Sequence, residues 1–487
     1  MQATIDNTNG LSPRDIWGHP RMLWMLLLVT VGLNFAFYGF RAFLAPYAAQ
    51  AFFAHLPNAQ ALQQANLLVA GFGTLTYATA IIGGWVADNV LGEARALRIS
   101  LWLCALGLAA MAWPTREGFT LALAFFVLAA GIGIPLTVLI GRNYSENDER
   151  RDAGYTWFYL AINLGGFVGP LICAAWIGKE FGYRWGFIAA AVGMALGALV
   201  FELKHRAMPG AGDVVKHGGP RSTLIVVLAM FALVYPTALL LAHPDQLHIA
   251  VYALMCVMVL YFIFSSLRRR DHVQSQRYIA MLLLFVAMVL FWALSLQGAT
   301  SLNFFARDYV RAPFDFTLFQ SANPFYILFL APALALLWPW LDRRGINPST
   351  PRKFGIGLLL VALSYGVMVY AAQHMLGSDG RMPWWPLALC YLLQTLGELA
   401  LSPIGYAMVT RLAAPEEASL AMGGWFFGVG VSYDLTGRIA EMTTMSATSG
   451  IAGYSHVYLM LLWAGSAIGL LYLLGAPWIT KLMHGAR

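Results

Sequence analysis

The sequence predicts an all-α membrane protein with about fourteen transmembrane helices. Of its 487 residues, 59% are hydrophobic and only 11% are charged, whereas about a quarter of the residues in a soluble domain are charged. A water-soluble chain of this length could not bury so much apolar surface, so we expect a lipid bilayer to surround most of it. We expect no nucleic-acid partner despite the net charge of +7, because the charges lie in short segments between apolar runs.

The apolar runs recur from one end of the chain to the other, and crossing the hydrocarbon core takes about twenty helical residues. They lie at residues 22–50, 63–88, 96–113, 119–141, 154–177, 185–203, 223–242, 249–267, 278–305, 318–341, 354–373, 384–412, 419–444 and 454–482. Lysine and arginine are concentrated in the loops on one side of this arrangement. The positive-inside rule therefore predicts that both termini face the cytoplasm.

One long polar segment divides the apolar runs. Residues 204–222 contain several glycines and prolines and form the predicted cytoplasmic linker. Residues 22–203 before it form a predicted N-terminal six-helix bundle. Because eight runs follow the linker, we interpret residues 223–267 as two inserted transmembrane helices at the periphery. Residues 278–482 then form a C-terminal six-helix bundle.

No cofactor, metal site or enzymatic activity is expected. The cysteines lie inside apolar runs, without the spacing of metal ligands or of a disulfide framework: Cys104, Cys173, Cys256 and Cys390. The sequence contains no H-E-x-x-H, G-x-S-x-G or phosphate-loop motif, and its histidines are scattered. A membrane-embedded enzyme is therefore disfavoured.

A glycine-rich motif ends the second apolar run, with Gly83, Gly84 and Asp88 followed by Arg95 and Arg98. Glycines let two helices approach closely, and an aspartate there could cap a helix start while it pairs with an arginine. We predict that these residues form a cytoplasmic gate. An ordinary glycine-rich turn with a cap is the alternative.

Two ionisable side chains lie inside predicted spans. An unpaired cation in the bilayer costs about 3 kcal/mol or more, so Arg41 must face a wet cavity or a partner. Its guanidinium suits a substrate carboxylate, although helix carbonyls could satisfy it instead. Glu398 lies near the middle of an apolar run, and we expect it to exchange a proton near neutral pH unless a cation lies beside it.

Several segments resemble signatures of one known family. They are Phe35–Arg41, 83–98, 150–165, 319–324, 397–405 and Trp425 with Phe426, in the expected order and spacing. The chain is thereby identified as similar to the proton-dependent oligopeptide transporter family of the major facilitator superfamily. The resemblance implies two six-helix bundles that give alternating access to a small peptide, with two further helices inserted here.

The resemblance also implies a binding cavity. Glu398 matches the glutamate that holds the peptide amine, and the other matching or cavity-lining positions are Tyr38, Arg41, Tyr77, Asn163, Asn323 and Trp425. Amides of asparagine can accept from an ammonium group and donate to a peptide carbonyl. Helix–helix hydrogen bonds are the alternative for the asparagines, and core packing is the alternative for the aromatic residues.

The sequence departs from the family pattern at three places. Residues 30–34 replace the first-helix E-x-x-E-R motif, Leu136 replaces the fourth-helix lysine, and Leu296 replaces the seventh-helix acid. The usual proton relay is therefore missing. Asp434 and Arg438 lie four residues apart, on one helix face and close enough to pair. We predict that Asp434 carries the coupling proton together with Glu398, with a structural ion pair as the alternative.

The function that the sequence predicts is secondary active transport of di- or tripeptides, or of peptide-like compounds, across the cell (inner) membrane. A proton gradient is the expected driver. The alternatives are a facilitator or exporter of a modified peptide or other small zwitterion, and a transporter-derived substrate sensor. The sequence does not indicate an oligomeric state.

Overall fold

The computed structural model describes residues 15–113, 115–133, 136–141, 143–144, 148, 150–204, 219–269, 271–414, 417–446 and 450–485. Nearly all of these residues are helical. The first part of the chain forms α1 (Arg21–Ala51), α2 (Asn58–Val86), α3 (Glu93–Met111), α4 (Arg116–Ile132), α5 (Leu136–Gly141), α6 (Arg150–Gly169), α7 (Lys179–Phe181) and α8 (Tyr183–Lys204). Single π-helical segments, Ala87–Leu91 and Pro170–Gly178, extend α2 and α6.

The second part of the chain continues the pattern of long helices. It forms α9 (Pro220–Ala242), α10 (Pro244–Arg269), α11 (His272–Ser295), α12 (Ser301–Tyr309), α13 (Ala322–Arg343), α14 (Thr350–His374), α15 (Trp385–Leu412), α16 (Ala418–Ser446) and α17 (Ile451–Leu482). Short 3₁₀ helices at Leu296–Ala299 and Phe316–Ser321 lie between α11 and α12 and before α13. Two short strands, β1 (Val310–Arg311) and β2 (Met382–Pro383), pair in parallel.

The prediction of an all-α membrane protein is confirmed. Within the described part of the chain, eleven helices are long and apolar enough to cross a bilayer, and residues Trp385–Leu401 form a shorter apolar helix. The other two predicted spans are also helical: the run at 119–141 is divided between α4 and α5, and the run at 419–444 lies within α16. Apolar composition and length therefore identified the helices correctly.

The helices alternate in direction, because short connections join most of them. We call the side that contains the end of α8 and the start of α9 the linker side, and the other the opposite side. Residues 205–218, most of the predicted linker, lie outside the described part of the chain. α1 packs against α6 and α8, and α14 packs against α15 and α17. The most extensive contacts between the first and last helices join α2 to α16 and α6 to α13.

Hydrogen bonds join the first and last helices on the opposite side and at mid-depth. The Asn303 amide donates to the carbonyl oxygen of Ala42 at 3.0 Å, and the Ser321 hydroxyl donates to that of Phe167 at 2.8 Å. Towards the linker side, by contrast, α13 has no buried residue after Ile327. The bundle is therefore held together on the opposite side, whereas α13 packs loosely on the linker side.

The inserted helices α9 and α10 lie at the edge of the bundle and are largely exposed. α9 packs against α4, where the rings of Phe231 and Phe125 lie 5.3 Å apart. α10 packs against α11 and α16. The inserted pair therefore contacts the first helices mainly through α9, with a smaller contact of α10 with α2, and the last helices through α10.

A buried carboxylate attaches α10 to the last helices on the linker side. Glu417, directly before α16, accepts hydrogen bonds from Ser265 at 2.8 Å and Tyr261 at 3.1 Å. It also contacts Arg269 at 3.1 Å and the Tyr278 hydroxyl. Burial acts to raise the pKa of Glu417, but these contacts outweigh burial and lower it to about 2. The contact between α10 and the last helices is therefore made by the ionised carboxylate of Glu417.

Candidate functional site

A cavity of about 90 Å³ lies where α1, α11, α13 and α15 meet. It has room for a few water molecules. Its wall is formed by Tyr38, Arg41, Trp292, Ser295, Leu296, Gly298, Ala299, Gln320, Asn323, Pro324, Tyr391, Gln394 and Glu398. Four of the predicted substrate contacts, Tyr38, Arg41, Asn323 and Glu398, therefore share one cavity.

Arg41 is the cation on the cavity wall. Its guanidinium carbon lies 5.4 Å from the ring centre of Tyr433 and 5.9 Å from that of Tyr38, so two aromatic faces help to stabilise the charge. Its Nε is buried and has no hydrogen-bond partner, and no ion pair among the described residues includes it. The guanidinium can therefore bind an anion that enters the cavity.

Glu398 is the carboxylate on the cavity wall. The Asn323 amide donates to Glu398 Oε2 at 2.8 Å and to the Thr395 hydroxyl at 3.1 Å. These contacts fix the carboxylate between α13 and α15. No ion pair among the described residues includes Glu398, so its partner is neutral. The cavity thus contains one cationic and one acidic side chain that do not neutralise each other through a direct contact.

An interruption in a helix lies beside these charges. Between α11 and α12, residues Leu296–Ala299 form a 3₁₀ turn, and the carbonyl oxygen of Gly298 accepts hydrogen bonds from Gln320 at 2.5 Å and Tyr391 at 3.4 Å. Broken helices at membrane depth are tolerated where they line a cavity. The interruption therefore brings backbone and amide groups to the wall.

Several polar wall residues were not predicted from the sequence. Tyr391, Gln394 and Glu398 are spaced three and four residues apart in α15, so they share one helix face. This spacing could have identified Tyr391 and Gln394 as cavity residues. Gln320 lies within the segment 319–324 that resembles a family signature, and its place on the wall was not predicted.

Three predicted contacts do not line this cavity, and two of them, Asn163 and Trp425, are buried elsewhere. Asn163 is buried, and its amide donates to the carbonyl oxygen of Tyr159 in the same helix at 2.8 Å. Trp425 is buried in the core, where its ring lies 5.4 Å from that of Phe285 and 6.4 Å from that of Phe354. For this cavity, the prediction that Trp425 lies on the wall is wrong, because the indole packs between apolar rings.

Tyr77 reaches the site through another aromatic residue. Its ring stacks on Tyr433 with 5.8 Å between the ring centres, and Tyr433 in turn contacts the guanidinium of Arg41. Tyr77 is not itself on the wall of the described cavity. It therefore supports the ring beneath the cation, and Tyr433 is a site residue that sequence reasoning missed.

The predicted gate contains one close helix contact. A Cβ atom at Gly83 would lie 2.1 Å from the carbonyl oxygen of Gly131 in α4, whereas one at Gly84 would meet nothing within 4 Å. Only glycine permits this approach of α2 to α4. Gly83 therefore permits the close contact between α2 and α4, whereas Gly84 does not take part in that contact.

The polar gate residues differ from expectation in one respect. Asp88 lies in the π-helical segment Ala87–Leu91, and the N-cap of α3 is Gly92 at φ +80° with no side-chain cap. The prediction that Asp88 caps a helix start is therefore wrong for α3. Arg98 pairs with Glu202 of α8 at 3.6 Å, within the first helices. The gating role of these residues, and of Arg95, stays a prediction.

We expect the Gly83→Ala variant to be less stable than the wild type by about 1–3 kcal/mol, the usual cost of overpacking, because the methyl group meets backbone atoms that cannot rotate away. The matched Gly84→Ala variant should keep its stability or gain up to about 1 kcal/mol, since alanine favours a helix interior. Melting curves of the purified protein in detergent measure both changes. Equal melting temperatures of the two variants would contradict the α2–α4 contact.

Asp434 does not form the expected pair with Arg438. Asp434 accepts a hydrogen bond from His248 Nδ1 of α10 at 2.6 Å. Arg438 pairs with Asp245 of α10 at 2.8 Å and with Glu441 at 3.3 Å. The pairing prediction is wrong because the inserted helix supplies a closer partner to each residue, and no sequence pattern had linked α10 to α16.

Comparisons with known proteins agree with one another. Residues 94–457 match the family model described as POT family. The chain is 34% identical over 462 residues to the peptide transporter YePEPT of Yersinia enterocolitica subsp. palearctica, covering 88% of each protein. It is 32% identical over 463 residues to the transporter YclF of Bacillus subtilis, covering 90% of this chain and 92% of that protein.

Solved structures show the same fold along nearly the whole chain. A mutant of the peptide transporter POT in complex with alafosfalin matches with a TM-score of 0.84 and 30% identity, covering 97% of each chain. A POT family transporter in complex with 5-aminolevulinic acid matches with a TM-score of 0.81 and 26% identity, covering 96% of this chain and 98% of that one.

Proposed function

The chain belongs to the POT family of transporters, and on that premise we propose that it moves small peptides or peptide-like compounds across the cell (inner) membrane by alternating access. The relatives named above include a peptide transporter, and the similar structures contain alafosfalin and 5-aminolevulinic acid. The observation that carries the proposal is that Arg41 and Glu398 lie on one cavity wall and that neither forms an ion pair with any residue that the structure describes.

A peptide zwitterion complements this wall. Its carboxylate can accept two parallel hydrogen bonds from the Arg41 guanidinium, and its amine can donate to Glu398 and to the Asn323 carbonyl. Gln320 and Gln394 offer amides for the peptide bond. Burying a lone charge is costly, and a ligand that brings the opposite charge offsets that cost. A guest with both charges is therefore favoured over one with a single charge.

The arrangement of the helices supports a state that is open on the linker side. Hydrogen bonds such as Asn303 to Ala42 close the opposite side, while α13 is unburied after Ile327 on the linker side. The positive-inside pattern of lysine and arginine favours a cytoplasmic linker side with both termini in the cytoplasm. This conformation would then face inward.

The moving parts that we propose are the two bundles predicted from the sequence. Residues 22–203 and 278–482 form the two six-helix bundles, residues 204–222 form the cytoplasmic linker, and residues 223–267 form the inserted pair. Transport results when the bundles rock about the central cavity. A gate at the linker end of α2 would then close after the substrate has been released.

Proton coupling is the driver we propose for accumulation, with Glu398 and Asp434 as the acids that take part. Leu296, which the resemblance matches to the family's seventh-helix acid, lies on the cavity wall, so we do not assign the coupling proton to that position. A facilitator, an exporter or a substrate sensor would need no such acid. A facilitator or an exporter would still move substrate across the membrane, whereas a sensor would bind substrate without moving it.

Counterflow in proteoliposomes tests the proposed function. Vesicles loaded with unlabelled dialanine should take up labelled dialanine without any imposed gradient, because a transporter exchanges its substrate across the membrane. Vesicles with the Arg41→Ala variant provide the control. Binding of dialanine without exchange would favour the sensor, and neither binding nor exchange would overturn the peptide assignment.

A further inference from the structure

Two neighbouring cavities lie on the opposite side of the bundle, where α6 meets α13 and α15. One is an open pocket of about 590 Å³ between the loop after α12 and the loop before α15, and Arg311 and Arg381 lie on its wall. The other is a groove of about 240 Å³ between α6 and the start of α13. We call them the arginine pocket and the apolar groove. Trp384 lines both of them, so the two cavities adjoin.

The two loops of the arginine pocket are fixed to each other. The strands β1 and β2 pair, with Val310 beside Met382. The Asp379 carboxylate accepts hydrogen bonds from Arg311 Nε at 3.1 Å and Nη2 at 2.5 Å. The backbone N–H of Arg381 donates to the same carboxylate at 3.2 Å. The pocket is therefore held in shape before any ligand enters it, which lowers the entropic cost of binding.

The wall of the arginine pocket is positively charged. Its two ionisable residues are Arg311 and Arg381. Asp379 pairs with Arg311 but is not on the wall, and no ion pair among the described residues includes Arg381. The three groups together leave one positive charge. Arginine donates parallel hydrogen bonds to a phosphate group, so a phosphate suits this wall, whereas an ammonium group would find no acid on it.

Other charged residues of the loop between α12 and α13 have partners of their own. Arg307 pairs with Asp308 at 2.7 Å, and Asp315 accepts hydrogen bonds from the backbone and the hydroxyl of Thr317 at 2.9 and 2.5 Å. None of these residues lines the arginine pocket. The charge at the wall is therefore set by the two arginines and Asp379.

The apolar groove is open towards the lipid. Phe325 and Trp384 line it and are 40% and 41% exposed, and Phe167 and Leu171 of α6 form the other side. Tryptophan is typical of the membrane–water boundary, and Phe325 lies within the apolar span Phe316–Arg343. The groove thus runs from the boundary into the hydrocarbon region. An acyl chain fills such a groove, because an empty groove would deprive its wall of dispersion contacts.

The apolar groove crosses the contact between the first and last helices. The Ser321 hydroxyl donates to the carbonyl oxygen of Phe167 at 2.8 Å, and the rings of Phe167 and Phe325 lie 5.7 Å apart. All three residues line the groove. A molecule in the groove therefore contacts both bundles at a place where they meet on the closed side.

We propose that the arginine pocket and the apolar groove together bind one anionic phospholipid from the leaflet on the opposite side. Arg311 and Arg381 hold its phosphate, and one acyl chain lies in the groove between α6 and α13. Lipid chains are as apolar as the groove, so the headgroup decides which lipid binds. Because the lipid contacts both bundles, it stabilises the conformation in which the opposite side is closed. Lipid binding does not depend on which substrate the protein carries.

Native mass spectrometry of the purified protein in detergent measures this binding. The wild type should bind one dioctanoyl phosphatidylglycerol about 5-fold more tightly than dioctanoyl phosphatidylethanolamine, and Arg381→Gln should lose this preference, because one basic side chain near the membrane surface contributes about that factor. Arg307→Gln is the matched control and should keep the preference, since Arg307 is on the same side but not on the wall.

Two further measurements test the groove and the need for a lipid tail. Ala388 lines the apolar groove, and the larger side chain of Ala388→Leu would occupy part of it. This variant should bind both lipids more weakly than the wild type. Glycerol phosphate carries a phosphate but no acyl chain, and it should not displace phosphatidylglycerol from the wild type at equal concentration.

The outcomes separate this inference from the proposed function. Equal affinity of the wild type for the two lipids would overturn the proposal without recourse to any variant. An equal loss in Arg307→Gln and Arg381→Gln, or unchanged lipid binding in Ala388→Leu, would overturn it as well. Displacement by glycerol phosphate would indicate a site for a soluble anion and overturn the lipid assignment. Each of these results would leave dialanine exchange in counterflow intact, and melting curves without added lipid show that each variant is folded.

Discussion

Replacement of Arg41 by alanine is expected to weaken dipeptide binding by about 100-fold, because loss of one partner of a buried charge pair costs about 3 kcal/mol. The effect should be large because Arg41 is in no ion pair among the described residues and its buried Nε has no hydrogen-bond partner. Without the guanidinium, the substrate carboxylate would enter the cavity unpaired. Titration calorimetry of the purified protein with dialanine measures the change.

A modified ligand makes this prediction specific. Dialanine amide has no carboxylate, so its affinity should be low for the wild type and should fall little further in Arg41→Ala. Arg41→Lys should bind less tightly than the wild type, because lysine keeps the charge but not the planar fork. Arg311 pairs with Asp379 in an exposed position, and Arg311→Ala is the matched control that should bind normally. Equal losses for both ligands would place Arg41 away from the carboxylate.

Replacement of Glu398 by glutamine is expected to weaken dipeptide binding by about 30-fold, or about 2 kcal/mol. Glutamine can still accept the hydrogen bond that Asn323 donates at 2.8 Å, so the variant removes the charge and preserves the shape. The reason for the loss is that the peptide amine then faces a neutral amide in a site shielded from water. Binding titrations with dialanine measure the effect.

An acetylated ligand identifies the group that Glu398 contacts. N-acetyl-dialanine carries no amine, so its affinity should be the same for the wild type and for Glu398→Gln. Glu202→Gln is the control, because Glu202 lies at the end of α8 and pairs with Arg98 at 3.6 Å on the exposed linker side. If the variant also loses affinity for the acetylated peptide, Glu398 maintains the shape of the cavity and does not bind the peptide amine.

These two residues could be found from the sequence for a simple physical reason. A charged group inside an apolar run has no water to solvate it, so it must meet a cavity or a partner. That argument needs no knowledge of neighbouring helices, and the structure places Arg41 and Glu398 on the same wall. The aromatic residues carried no comparable constraint. Trp425 can satisfy its burial equally well in a core, and it does.

The partners of Asp434 show the limit of reasoning along one helix. Spacing correctly put Asp434 and Arg438 on one face of α16, but α10 approaches that face and supplies His248 and Asp245. Asp434 and His248 are 186 residues apart in the chain. A sequence pattern within α16 contains no information about which helix packs against it.

The amino-acid sequence by itself determined which segments enter the bilayer, the family, and the charged residues that require a cavity, because these depend on apolar length, motif order and the cost of an isolated charge. The tertiary structure alone decided which helices touch. Thus the break between α11 and α12 brings Gly298 to the wall, Gly83 fits against Gly131, and the inserted helix supplies the partner of Asp434. Such contacts depend on packing between segments that are distant in the sequence. A helix forms its backbone hydrogen bonds within itself whichever helix it packs against, so its own sequence does not specify that neighbour.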